Sequence, residues 1–237
     1  MANLQGTTLG GIKFWSYGAP SFTTLVQYLE AGQSTVTETG AMMWMHPTIE
    51  IKTAGRKGGV LKGLATSVLG GESFFVNTYT ATHGPGEIGC VGASLGDVQP
   101  LNVQNTGYLV RSGAFLASEP TINLDTKWQG AKGFFGMRDA IMLHATGQGT
   151  MFISSFGAII ERDLLDGEVL LVDNGHVVAF EDRIPYDVRK VGGLKSTLLS
   201  GEGLVVEMRG PGRIYLQSRQ MAQFAAALVP YLPNNNR

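Results

Sequence analysis

Three glycine-rich turns recur at a constant interval along this chain. The segments HGPGEIGCVG, TGQGTMFISS and RGPGRIYLQS each contain Gly-x-Gly, and their second glycines are Gly86, Gly149 and Gly212, so that successive turns lie 63 residues apart. Self-similarity at a fixed period is the sequence sign of a repeated structural unit. This interval constrains the fold more than any other feature of the sequence.

A second element recurs upstream of these turns, in ETGAMMWM, RSGAFLAS and DNGHVVAF. Its glycines are Gly40, Gly113 and Gly175, each eight residues after the turn residues Gly32, Asn105 and Gly167. A turn, a short β-rich run, a second turn and a short apolar run are typical of a β-hairpin. Asn174-Gly175 favours a type I′ turn, since that turn needs positive φ at both central residues. We infer three copies of one unit: hairpin, connector, Gly-x-Gly turn and strand.

The strand after each Gly-x-Gly turn alternates in polarity, and side chains alternate between the two faces of a strand. One face carries Ile88 and Cys90, Met151 and Ile153, and Ile214 and Leu216. The other carries Glu87, Thr150, Phe152, Arg213 and Tyr215. We expect the first set to close a common interior and the second to meet solvent or a neighbouring chain.

The resulting expectation is an all-β fold: three repeated β-sandwich-like modules in a pseudo-threefold arrangement, plus a short C-terminal helix. Residues 1–237 form a single compact unit, with modules at approximately 12–96, 97–157 and 158–217. The first copy is longer than the others, which indicates an insertion at Gly55–Gly71. This glycine-rich, basic segment is interpreted as a flexible insertion, or else as a flap that contacts a protein partner or a membrane surface.

The C-terminal helix is expected at about 218–230. Its apolar residues follow helical spacing at Met221, Phe224, Ala225 and Leu228, which predicts one face packed on the β body. Ser218 is the expected N-cap and Pro230 the expected terminator.

Charge and cysteine content exclude several functional classes. Lys and Arg number 18 against 19 Asp and Glu, so no basic nucleic-acid surface is expected. The single cysteine excludes an intramolecular disulfide and a multi-cysteine metal site. The first residues show no secretory signal, and no apolar run reaches the ~18 residues of a spanning helix. We therefore expect a cytoplasmic protein without a transmembrane segment.

Catalytic motifs are not apparent. His46, His83, His144 and His176 form no H-x-H or H-x-x-x-H pair, Cys90 falls on the inward face, and no G-x-S-x-G elbow is present. GRKGGVLKG departs from a phosphate-binding loop, because Lys62 is followed by Gly63 instead of Ser or Thr. We predict no catalytic, cofactor-binding or metal-binding residues and no cofactor. An enzyme would need His83 or His144 to meet carboxylates through folding.

The segments GESFF, KWQGAKGFFG, GEVLLVDNGHVVAFED and EMRGPGRIYLQSR together resemble the altered-inheritance-of-mitochondria family. The resemblance extends from about Phe22 to Gln220. It implies three β modules like those of the trp RNA-binding attenuation protein within one chain. The bacterial members of this family are largely uncharacterised, and the resemblance implies no catalytic residue.

Three functional interpretations follow. The favoured one is a non-enzymatic β-scaffold, a homo-oligomeric interaction or structural protein, with a trimer compatible with the pseudo-threefold protomer. An alternative is a protein that binds a small ligand or, less favoured, RNA. The third is an enzyme whose site is not visible in the sequence.

Overall fold

The computed structural model describes residues 4–53, 68–69, 72–73, 75–125, 142–190 and 204–232. Its described residues are almost entirely antiparallel β structure, as predicted. The strands are β1 Gln5–Thr7, β2 Lys13–Tyr17, β3 Thr24–Leu29, β4 Ser34–Glu38, β5 Met42–Met45, β6 Ile49–Thr53, β7 Val68–Leu69, β8 Glu72–Ser73, β9 Val76–Ala81, β10 Gly86–Val91, β11 Val98–Val103, β12 Tyr108–Arg111, β13 Phe115–Ser118, β14 Ile122–Asp125, β15 Met142–Gly147, β16 Gly149–Ser154, β17 Ile159–Leu164, β18 Val169–Asp173, β19 Val177–Glu181, β20 Tyr186–Lys190, β21 Leu204–Arg209 and β22 Gly212–Gln217. The helix α1 is Met221–Leu228, and short 3-10 turns lie at Ser112–Ala114, Asn174–His176 and Val229–Tyr231.

One pairing scheme occurs three times along the chain. We call the strands involved set 1 (β3, β4, β5, β6, β9, β10), set 2 (β11 to β16) and set 3 (β17 to β22). In each set the first and third strands pair with the sixth. The second and fourth strands pair with the fifth. Each set therefore contributes two three-stranded halves.

Halves of successive sets are joined edge to edge. The second strand of set 1, β4, pairs with β13 of set 2, and β12 of set 2 pairs with β19 of set 3. The resulting sheets are sheet I (β1-β2-β3-β10-β5), sheet II (β11-β16-β13-β4-β9-β6), sheet III (β14-β15-β12-β19-β22-β17) and sheet IV (β18-β21-β20). Within the described strands β5 and β18 each end a sheet, so the pairing does not confirm a closed pseudo-threefold arrangement.

The interior consists of three apolar clusters, each drawn from two successive sheets. Core 1 lies between sheets I and II, core 2 between sheets II and III, and core 3 between sheets III and IV. Ile88, Met151 and Ile214 occupy the third position of β10, β16 and β22 and are each fully buried. They lie in core 1, core 2 and core 3 respectively, and not in the common interior expected from the sequence.

The opposite face of these strands is also buried in sets 2 and 3, which corrects the expectation of a solvent-facing surface. Phe152 packs edge-to-face on Phe14 at 5.0 Å, inside core 1. Tyr215 packs on Tyr108 at 6.3 Å, inside core 2. Sheets II and III therefore each have one face in the core shared with the preceding sheet and the other face in the core shared with the following sheet.

The turn at Asn174-Gly175 is not type I′. Asn174–His176 form a 3-10 turn, in which the Asp173 carboxylate accepts a hydrogen bond from Gly175 N at 2.7 Å. An aspartate before a turn competes for nearby backbone N–H groups, and here it draws the chain into a helical turn. Positive φ occurs at the preceding turn, where Gly167 has φ of 73°.

The C-terminal helix exists, but the expected burial of its apolar face is wrong. No residue of α1 is buried, although the Phe224 ring contacts Phe156 at 5.4 Å. The N-cap is Gln220 and not Ser218, whose hydroxyl accepts a hydrogen bond from Ala158 N at 2.9 Å instead. Pro230 lies within the 3-10 turn that follows the helix. No described helix has the length and apolarity needed to cross a bilayer.

Most of the predicted insertion at Gly55–Gly71 lies outside the described residues. Its described part is Val68–Leu69, which pairs with Glu72–Ser73 just beyond the insertion as a two-stranded ladder. The segment KWQGAKGFFG lies outside the described residues as well.

Candidate interaction surface

Four of the eight edge strands of sheets I to IV in the described chain carry features that oppose pairing with another strand. Proline lacks the N–H that a ladder needs, and charged side chains make edge pairing unfavourable. β11 contains Pro100 and pairs on one side only. Charged residues mark the edges β6, β17 and β20, at Glu50, Lys52, Glu161, Arg162, Asp163, Asp187 and Arg189.

The edge β5 has neither proline nor charge, and β18 has a charge only at its last residue, Asp173. β5 reads MMWM and β18 reads VLLVD, so each presents a run of four apolar residues. Met43 is 61% exposed and Leu171 is 58% exposed. Two unguarded apolar edges at opposite ends of the strand sets form the candidate interaction surface.

Met43 has counterparts in the other sets that are fully buried. The pairing of β5 with β10 shifts register between Trp44 and Met42, which makes Met43 the extra residue of a β-bulge. The same shift in β13 and β19 makes Leu116 and Val178 the extra residues. Both are 0% exposed, because each enters the core of the preceding set. Met43 occupies the same position, and no set of described strands precedes set 1 to cover it.

Leu171 shows the complementary situation at the other end. Val36, Leu109 and Leu171 each lie four residues before the second turn glycine of their hairpin. Val36 is 3% exposed and enters core 2, and Leu109 is 0% exposed and enters core 3. In both cases the following set supplies the cover. Among the described strands, no set follows set 3 to cover Leu171.

The outer face of sheet I continues the apolar edge of β5. Trp15, Val26, Gly89 and Trp44 lie directly opposite one another across four strands, on the face turned away from core 1. The Trp44 indole covers Gly89 so closely that a Cβ at this glycine would lie 2.6 Å from it, and its Nε1 donates to Glu87 Oε1 at 3.1 Å. Trp44 lies at the position that the buried Ala117 and Ala179 occupy in the other two sets.

The position two residues before the second hairpin glycine carries Glu38, Arg111 and Asp173 in the three sets. Arg111 donates from Nε to the Val177 carbonyl at 3.0 Å, across the joint to set 3. At the other joint, burial raises the pKa of the Glu38 carboxyl to about 7. Ionised Glu38 is therefore disfavoured in the folded chain.

Glu38→Gln is expected to change how stability depends on pH. Because the folded pKa of Glu38 lies above its ordinary 4.5, its favourable contribution is complete below about pH 4.5 and is lost as pH rises through about 7. The difference in free energy of unfolding between the variant and the wild type should increase by about 1–2 kcal/mol in favour of the variant from pH 5 to pH 8. This figure allows for solvent screening of the partly exposed carboxylate. Urea denaturation at both values measures this. Equal differences at both pH values would contradict it, and Glu30→Gln, at an exposed carboxylate, is the control.

The histidines do not converge in the described structure. His83 Nε2 lies 2.9 Å from Glu50 Oε1, and His144 Nε2 lies 2.9 Å from Asp182 Oδ2. Folding thus brings both named histidines to carboxylates, the arrangement that an enzyme would require. The two pairs are separate, and neither lines the described cleft formed by Leu9, Gly10, Gln104, Glu119, Thr121 and Gln148. Among the described residues no group of three His, Cys, Asp or Glu could hold a metal ion.

Cys90 is fully buried in core 1, as its inward position predicts. Burial raises the pKa of its thiol to about 12. The thiol is therefore protonated at neutral pH and lacks the thiolate character of a nucleophile.

Glu119 is a buried carboxylate that sequence reasoning missed. It is 4% exposed and accepts hydrogen bonds from the Thr8 hydroxyl, from Gly10 N at 2.7 Å and from Thr150 N at 2.6 Å. It thereby fastens the tip of the β1–β2 hairpin to set 2. A cleft of about 310 Å³ opens beside it, lined by Leu9, Gly10, Gln104, Glu119, Thr121 and Gln148.

A signal for Glu119 does exist in the sequence. Glu119 and Glu181 both follow the second hairpin glycine by six residues, where set 1 has His46. Glu181 likewise accepts from a backbone N–H of the sixth strand, Arg213 N, at 3.1 Å. A carboxylate at this position thus binds the start of that strand in sets 2 and 3.

Comparison with known proteins places this architecture in a family. The family model described as "Mitochondrial biogenesis AIM24" matches residues 16–219. The chain belongs to the AIM24 family. This assignment agrees with the resemblance noted from the sequence, whereas modules like those of the attenuation protein are not confirmed by it.

Two streptococcal proteins illustrate the AIM24 relationship. "Uncharacterized protein M6_Spy0233" of Streptococcus pyogenes serotype M6 is 32% identical over 215 residues, which cover 88% of this chain and 86% of the relative. The crystal structure of protein SPYM3_0169 from Streptococcus pyogenes superposes with a TM-score of 0.74 at 28% identity. That match covers 93% of this chain and all of the other. Neither name states an activity, a ligand or a partner.

Proposed function

We propose that this AIM24-family chain is a non-enzymatic β-scaffold that works as a homo-oligomer, associating through the unguarded edges β5 and β18. The observation that carries the proposal is the contrast between Met43 and Leu171, which are 61% and 58% exposed, and their counterparts, which are at most 3% exposed. Removing apolar surface from water favours association by about 25 cal/mol per Å². Exposed edges that match buried joints are therefore interfaces.

Backbone chemistry supports the same proposal. A free edge presents unpaired N–H and C=O groups, which another strand can satisfy by extending the sheet. The chain guards β11 with Pro100 and β17 with Glu161, Arg162 and Asp163, whereas β5 carries no charge and β18 carries one only at its last residue, Asp173. Such selective protection is consistent with edges that are kept for pairing.

The cleft beside Glu119 is the described feature that most favours the small-ligand alternative. Its one buried carboxylate already accepts from three donors of the chain itself. A ligand at this cleft would have to displace the hairpin tip to reach that charge. The scaffold function is therefore favoured over ligand binding.

Self-association tests the proposed function. We expect size-exclusion chromatography with light scattering to give a multiple of the 25.3 kDa chain mass at micromolar concentration. Met43→Lys should shift the population to the monomer, because a charge at an apolar interface is left desolvated and unpaired. The control Ile160→Lys replaces a residue that is 50% exposed on the guarded edge β17, and it should leave the mass unchanged. A wild-type monomer throughout this range would refute the proposal.

A further inference from the structure

We propose that β5 of one copy pairs with β18 of another copy, antiparallel, in the arrangement that already joins β13 to β4 and β19 to β12 within the chain. This inference rests on the proposed self-association and specifies its geometry. The partner is a second copy of this chain, because the two internal joints show which surfaces fit each edge. β5 is the set 1 equivalent of β13 and β19, and β18 is the set 3 equivalent of β4 and β12.

The internal joints also specify the register. At the first joint Ala117 lies opposite Thr37 and Ser118 opposite Val36. At the second joint, the equivalent residues Ala179 and Phe180 lie opposite Val110 and Leu109. Two independent joints therefore have one register.

Transferring this register to the outer edges places Trp44 of one copy opposite Val172 of the other. It places Met45 opposite Leu171. Trp44 and Met45 are chosen because their pairing with β10 makes them equivalent to the joint residues of β13 and β19. Val172 and Leu171 are chosen because they lie three and four residues before Gly175, as the joint residues of β4 and β12 do before their own hairpin glycines.

The same transfer states where the exposed apolar side chains go. Leu116 and Val178 enter the core of the preceding set, so Met43 enters core 3 of the neighbouring copy. Val36 and Leu109 enter the core of the following set, so Leu171 enters core 1 of the copy that supplies β5. Each copy thus inserts one apolar side chain into the other.

The two edges differ, so the contact is heterologous. Each copy retains one free β5 and one free β18 after it binds a neighbour. A heterologous contact generates a closed ring if the rotation between copies closes, and an open filament if it does not. It does not generate a two-fold dimer in which the same edge pairs with itself.

Mixing two variants that are each blocked at one end tests this arrangement. Met43→Lys blocks β5 and leaves β18 available, and Leu171→Lys does the reverse. We expect each variant alone to be monomeric, with self-association weakened at least about 100-fold. An equimolar mixture should form a one-to-one dimer by native mass spectrometry, with one variant isotopically labelled. Circular dichroism verifies that both variants remain folded.

A cysteine pair tests the register without introducing a charge. Native Cys90 is fully buried, so an oxidant should cross-link only introduced thiols. Met45→Cys with Leu171→Cys should form intermolecular disulfides, since directly opposed residues on antiparallel strands lie within disulfide reach. Met45→Cys with Val169→Cys, two residues out of register, should cross-link at least about ten-fold more slowly. Each single-cysteine variant should remain uncross-linked.

The outcomes separate the two proposals. A wild-type oligomer that both lysine variants leave intact would overturn the edge-to-edge arrangement and the assignment of association to β5 and β18, while self-association itself would stand. Dimers of Met43→Lys alone or Leu171→Lys alone would indicate a two-fold contact and would also overturn it. Equal cross-linking of the two cysteine pairs would overturn the register. A wild-type monomer would overturn both the arrangement and the function.

Discussion

Phe152→Ala is expected to lower the free energy of unfolding by about 3–5 kcal/mol, the usual cost of removing a fully buried phenylalanine ring. Phe152 is 0% exposed and belongs to a strand of set 2, yet its ring fills core 1 against Phe14. The cavity would lie where sheet II meets both the β1–β2 hairpin and set 1. The substitution should therefore weaken the joint between two sets as well as one core.

Urea denaturation followed by circular dichroism measures this loss. Phe224→Ala is the matched control, because Phe224 is also in an edge-to-face pair, at 5.4 Å from Phe156, but is 43% exposed. We expect the control to cost less than about 1 kcal/mol. Similar losses for the two variants would contradict the assignment of Phe152 to a shared core.

Glu119→Ala is expected to cost about 3 kcal/mol of unfolding free energy. The substitution leaves the Thr8 hydroxyl and the N–H groups of Gly10 and Thr150 without their acceptor. An unsatisfied buried donor costs about 1–3 kcal/mol, and water entering at the hairpin tip should recover part of the total. Because two of the three donors belong to the hairpin, its tip should detach from set 2 before the rest of the chain unfolds.

Hydrogen exchange distinguishes this local release from general destabilisation. The amides of Leu9 and Gly10 should exchange at least about ten-fold faster in Glu119→Ala, while those of core 3 change little. Glu161→Ala, which breaks an exposed ion pair to Arg213, is the control and should cost less than about 0.5 kcal/mol. Unchanged protection at the hairpin tip would show that Glu119 does not hold it.

The strands are the part of the fold that the sequence predicted best. Period-two alternation after Gly86, Gly149 and Gly212 correctly placed Ile88, Met151 and Ile214 inside, since burial of one strand face imposes that pattern directly. Their division among three cores was not predictable, because it depends on which distant strands become neighbours. The joints β4–β13 and β12–β19 are such non-local pairings.

Local patterns misled where a competing contact was decisive. The spacing of Met221, Phe224 and Leu228 correctly indicated a helix, but amphipathic spacing does not say what covers the apolar face, and these residues are exposed. Asn174-Gly175 has the composition of a type I′ turn, yet the Asp173 carboxylate captures Gly175 N and produces a 3-10 turn. Local sequence indicates which conformations a segment favours, and contacts with other residues determine which of them it adopts.

The candidate surface was only partly visible in the sequence. MMWM and VLLVD are apolar runs of strand length, and such runs are equally typical of buried strands. Only the comparison of Met43 with Leu116 and Val178 in space shows that the same position is buried twice and exposed once. The role of Glu119 was hidden for a similar reason, because its donors lie 109 to 111 residues earlier and 31 residues later in the chain.

Shared sheets have a consequence for dissecting this molecule. Sheets II and III each take half their strands from one set and half from the next. Cutting the chain between sets would therefore divide a sheet into two halves and remove one of the two sheets that enclose a core. A fragment containing set 2 alone would leave the edges of β12 and β13 unpaired and would expose two apolar faces. It would therefore be a poor candidate for independent expression. The smallest autonomous piece of this architecture is larger than the pattern that recurs along it.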